Sequence, residues 1–107
     1  MAQCKITVLK KMINRDLVSE YCSLNLSDQC LGCALLTVGQ EFIVDDYNQI
    51  PEGFCSWAWG DIQKDVTTIM FDGSFPWMKQ PGTAIACCSD GLMPVVFKIE
   101  KINPQTS

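Results

Sequence analysis

The chain of 107 residues contains no histidine. That removes the commonest general base near neutral pH and the commonest zinc ligand. Any site must be built from thiolates, carboxylates, lysines, tyrosines or backbone groups. Charge is sparse as well. Charged residues make up 19% of the chain, the net charge is −4, and the eight Lys and Arg residues are scattered. Nucleic acid and anionic membranes need a basic patch, so neither is expected as a partner. No apolar run approaches the ~20 residues that span a bilayer. The opening stretch MAQCKITVLKKM lacks the basic start, apolar middle and small-residue cleavage site of a signal peptide. A cytoplasmic location is the expectation. Gly-rich phosphate loops, Walker motifs and Ser-based triad signatures are missing too.

What remains is apolar and rich in sulfur. A hydrophobic fraction of 48% supports a core, and the length fits a single domain over residues 1–107. There are seven cysteines: Cys4, Cys22, Cys30, Cys33, Cys55, Cys87 and Cys88. An odd number cannot pair completely, and without a secretion signal the thiols are expected to be mostly reduced.

Patterning along the chain predicts an α+β fold. Cys4, Ile6 and Val8 alternate with Lys5 and Thr7, which predicts a strand over 4–11. A short helix is expected over 14–22, with Asn14 able to cap it. Residues 23–38 read as a loop, followed by a strand over 40–46 with Phe42 and Val44 on one face. After a Pro51/Gly53 turn, Ser56 is placed to cap a helix reaching about Phe71. Its apolar stripe is Ala58, Ile62, Val66, Ile69 and Met70. Gly73 is a stop signal.

GSFPWMKQPG then reads as an ordered loop or contact surface. Residues 83–102, TAIACCSDGLMPVVFKIEKI, predict a β-hairpin turning at Asp90-Gly91. A two-residue loop pairs Cys88 with Met93, Ala86 with Val95 and Ala84 with Phe97. Cys88 then faces the core and Cys87 the other side. A three-residue loop would reverse the two. The fold class is α+β: a small, mainly antiparallel sheet with the C-terminal hairpin packed on one main helix.

Cys55 stands out, in PEGFCSWAWGD. It precedes the expected helix start, where free backbone N–H groups favour an anion and activate a thiol. It is a candidate nucleophile and a candidate metal ligand, against the plainer reading of a packed small hydrophobe. Trp57 and Trp59 are candidates to wall a pocket or stack on a cofactor, against core packing. Cys88, facing inward, is the expected partner of Cys55, with Cys22 as a further metal ligand. Cys30-Leu31-Gly32-Cys33 is a CxxC, a spacing that grips a metal or closes a redox pair, but a full thiolate zinc site needs four ligands. Glu52 and Asp61 flank Cys55 and read as solvated carboxylates before they read as bases. Asp90 reads as a turn residue.

The stretches KITVLKKM, GQEFIV, PEGFCSWAWGDI, FPWM and CCSDGLMPVVFKIEKI together resemble a family of small, cysteine-containing prokaryotic proteins. The resemblance covers most of the chain. It implies a single cytosolic domain and no particular reaction. On matching positions it directs attention to Cys55, Cys88, Asp90 and Gly91.

Three readings follow. In the first, thiolates of Cys55, Cys88 and Cys22 hold a soft metal such as zinc or an iron–sulfur unit. In the second, Cys55 is the nucleophile of a thiol-dependent enzyme whose substrate the residues do not name. In the third, the chain is an accessory subunit that associates through the FPWM loop and the hairpin. That apolar loop also suggests a homo-oligomer.

Overall fold

The structure, a computed structural model, describes residues 3–23, 35–45 and 47–102. The elements run β1 (Gln3–Lys11), α1 (Arg15–Tyr21), β2 (Glu41–Val44), α2 (Ser56–Met70), β3 (Thr83–Cys87) and β4 (Val95–Ile102). The four strands form one sheet in the order β2-β1-β4-β3, antiparallel throughout. One face carries α2, so the α+β architecture read from the patterning is the one observed.

Alternation decides the faces. Cys4, Ile6 and Val8 of β1 are fully buried, and their partners Val44, Phe42, Ile99 and Phe97 share that inner face. A bulge between Val8 and Lys10 breaks the period, leaving Leu9 and Lys10 both exposed. The buried stripe of α2 is Ala58, Ile62, Val66, Ile69 and Met70, as its helical spacing predicts. Each large side chain in this layer contributes about 1.5–3 kcal/mol by burial. The opposite face of the sheet is mixed, with exposed Ile43 and Ile85 beside the charged Lys5, Glu41, Lys98 and Glu100. Lys5 lies between Glu41 at 3.4 Å and Glu100 at 3.5 Å, and these carboxylates, Glu41 first, raise its pKa.

Both ends of α2 differ from expectation by one residue. The N-cap is Cys55 rather than Ser56, with extended dihedrals (φ −72°, ψ 123°). The Cys55 carbonyl accepts the first helical bond from the Trp59 N–H at 2.9 Å. The cause lies upstream. The Phe54 N–H donates to the Pro51 carbonyl at 3.1 Å, and Gly53 sits at φ 81°, as in a type II turn. That turn delivers the chain to the helix one residue early.

At the other end the left-handed position belongs to Asp72 (φ 69°), not to Gly73. Glycine is needed at 73 for space. The Gly73 N–H donates to the Thr68 carbonyl, and a Cβ there would lie 2.6 Å from the Thr68 methyl.

The hairpin is displaced by two residues from the expected pairing. Ala84 pairs with Ile99, Ala86 with Phe97 and Cys87 with Val96. The connection is longer because Asp90 folds it locally: its Oδ1 accepts the N–H groups of Leu92 at 2.9 Å and Met93 at 3.4 Å. Pro94 has no N–H to give to a ladder. An even displacement preserves facing, so Cys88 is inward and 8% exposed while Cys87 is outward.

In the FPWM loop, Phe75 packs on the core and Trp77 stacks on it at 5.2 Å, remaining 76% exposed. The CxxC at 30–33 lies outside the described residues.

Candidate functional site

The loop after β3 brings sulfur to one place. The Cys88 N–H donates to the Val95 carbonyl at 3.1 Å, and the Val95 N–H donates back to Cys88 Sγ at 3.3 Å. This closes the loop over residues 89–94. Further bonds hold it down. Two are those of Asp90. The Ser89 N–H donates to Asp61 Oδ2 on α2 at 2.7 Å, and Trp57 Nε1–H donates to Ser89 Oγ at 3.1 Å. From the β1–α1 side, Asn14 Nδ2 donates to the Gly91 carbonyl at 2.6 Å and its N–H to the Leu92 carbonyl at 2.8 Å. Asn14 sits at the N-cap of α1, yet its side chain makes no cap bond, because it is engaged with this loop.

A cavity of about 320 Å³ lies between the loop, the start of α2 and Leu35–Leu36. Cys55, Cys88, Trp57, Met93 and Asp90 line it, with Ala58 and Val95 behind them. The cavity is mainly apolar. Cys55 is half-buried and packs against the core cluster. Its sulfur makes no cap bond to the helix. Two cysteines far apart in the chain therefore border the same cavity.

The remaining sequence candidates go elsewhere. Trp59 does not line the cavity. It packs edge-on against Phe54 with ring centroids 6.2 Å apart, as part of the core. Trp57 does line it, and is 67% exposed. Cys22 ends α1, half-buried, with its N–H bonded to the Val18 carbonyl, and does not border the cavity. The trio Cys55, Cys88 and Cys22 is not assembled: among the described residues, no three of Cys, Asp and Glu come together as a metal site. The reason is topological, since α1 follows β1 while the cavity cysteines sit on α2 and the hairpin.

Cys4 is sealed in the sheet centre. Its sulfur donates to the Val66 carbonyl at 3.8 Å, and burial pushes its pKa up to about 11, with Lys101 opposing.

Two contributors escaped the sequence reading. Asp61, partly buried, is a clamp for the Ser89 amide through its Oδ2. Met93 brings a thioether to the cavity. No local spacing announces either, since each depends on how the loop folds back on α2.

A larger open depression of about 720 Å³ lies by the far end of α2, lined by Asp72, Ser74, Gln80, Glu100 and Lys101 among others. It contains no thiol, and Asp72 and Lys101 pair with each other. No family model, curated protein or solved structure matches the chain. Among the described residues no helix is long and apolar enough to cross a membrane.

Proposed function

We propose that this protein binds a soft metal ion, held by the thiolates of Cys55 and Cys88 in the 320 Å³ cavity. The observation that carries the reading is the convergence of these two cysteines on one volume. Thiolates favour soft ions. A closed four-cysteine zinc site or a cluster asks for more sulfur ligands than the cavity offers, so a single ion in an accessible site fits better. Cys88 is the fixed ligand, since its sulfur already accepts an N–H from Val95. Cys55, less buried, is the side from which an ion enters or leaves.

The test is metal analysis after anaerobic loading with zinc(II), iron(II) or copper(I) and removal of excess. About one ion per chain is expected in the wild type, as for a protein-defined site, against less than ~0.1 in Cys55→Ser and Cys88→Ser. Cys87→Ser, on the outer face, retains the wild-type load. Less than ~0.1 ion per chain in the wild type overturns the reading.

A second reading rests on the cavity volume, which is at the lower end for small-molecule pockets. Cys55, half-buried beside that volume at the start of α2, is then a nucleophile toward a small, mainly apolar substrate. A metal-free protein whose Cys55 alone is alkylated rapidly near neutral pH favours this reading over the first.

A further inference from the structure

We infer that Met93 supplies a third, thioether ligand and that the ion is monovalent copper. This rests on the reading that Cys55 and Cys88 bind a metal, and it adds the identity of that metal. The donors lining the cavity are two thiols, one thioether and one carboxylate. The carboxylate of Asp90 is already engaged, since its Oδ1 accepts the N–H groups of Leu92 and Met93. Three sulfurs remain.

Zinc sites use thiolate, imidazole and carboxylate, and histidine is absent from this chain. Soft sulfur ligands suit copper(I) as well as zinc, but a thioether is not among zinc's usual ligands, so the Met93 sulfur favours copper(I). Zinc with two thiolates would leave its remaining positions to water or to Asp90 Oδ2.

Met93 and Cys88 also share one loop, and that loop is held before any ion arrives. Its ends are joined by the Cys88–Val95 pair of bonds. It is tied to α2 through Asp61 and to the β1–α1 connection through Asn14. The Met12 N–H adds a bond to the Pro94 carbonyl at 2.8 Å. Two of the three donors therefore sit on preorganised backbone, which lowers the ordering cost of binding. The third, Cys55, is placed by the turn before α2. On binding, the Cys55 and Cys88 thiols each release a proton to solvent and two S–Cu bonds form. The thioether binds as a neutral donor, and no electron is transferred.

The experiment titrates reduced protein with copper(I) under anaerobic conditions against a chromophoric copper(I) chelator, with zinc(II) run in parallel. X-ray absorption is recorded on the copper-loaded wild type. Three sulfur scatterers per copper are expected. Met93→Leu, which keeps the volume, should weaken copper(I) binding about tenfold, the equivalent of 1.4 kcal/mol, and reduce the sulfur count to two. Two sulfur scatterers in the wild type remove Met93 from the site, and need no variant. Stoichiometric zinc with no copper(I) overturns the copper assignment while leaving the two-thiolate reading standing. No uptake of either ion overturns both.

Discussion

At the centre of the sheet, Cys4 is wholly buried and its S–H points as a donor to the Val66 carbonyl. At the hairpin end, Cys88 is nearly as buried, but its sulfur is an acceptor, taking the Val95 N–H, and it borders a cavity. The difference teaches that burial does not classify a thiol. A sulfur that donates needs its proton, and burial then holds it there, which is why the Cys4 pKa is raised to about 11. A sulfur that accepts can lose its proton without losing its partner. The first is packing material. The second opens onto a cavity.

The largest effect that sharpens this contrast is in the sealed layer. Phe97 is fully buried between the sheet and Phe54, with ring centroids 5.4 Å apart. Phe97→Ala should cost about 3–5 kcal/mol in urea-induced unfolding. Trp57→Ala, at the exposed rim of the cavity, should cost far less. Comparable losses would mean that the two regions are packed alike.

Next in size is a pH effect at Cys4. Its folded pKa, about 11, lies above the ordinary thiol value of 9.0. Below pH 9 both folded and unfolded chains hold the proton, and the full stability is present. Between pH 9 and 11 the unfolded chain releases it first, so stability falls as pH rises, by on the order of 2–3 kcal/mol. Cys4→Val should flatten that part of the profile. An unchanged slope in the variant would show that the thiol is not held protonated by the fold.

The smallest effect probes the clamp on the loop. Asp61→Ala leaves the Ser89 N–H without its carboxylate and should cost about 1–2 kcal/mol. Ser89 is exposed, so water can take over part of the bond. Urea midpoints of this variant and the wild type measure it. A neutral result would make the Asp61 bond incidental to the loop.

How far the sequence was legible depends on the range of the interaction. The stripe of α2 was readable because its five buried residues repeat with the helical period. The faces of β1 and β2 were readable because alternation is local. The inward turn of Cys88 was readable although its pairing was not: the register moved by two, and facing repeats every two residues.

The loop length escaped because it depends on Asp90 bonding to Leu92 and Met93. The cap of α2 escaped because the preceding turn, not the Ser56 side chain, decides where the helix begins. Half of the site could be anticipated, in Cys55, Cys88 and Trp57. The rest required tertiary structure. Trp59 went to the core because Phe54 offers it an edge, and Asp61 and Met93 gained their places from how the loop lies across α2.

The adjacent Cys87 and Cys88 straddle the sheet, one thiol on each side. A hairpin that zips up one residue out of step turns every inward side chain outward. At this doublet, the neighbour then takes over. A thiol faces the interior in either alignment, so the doublet is a form of fault tolerance: a slip of one residue still leaves sulfur on the inner side.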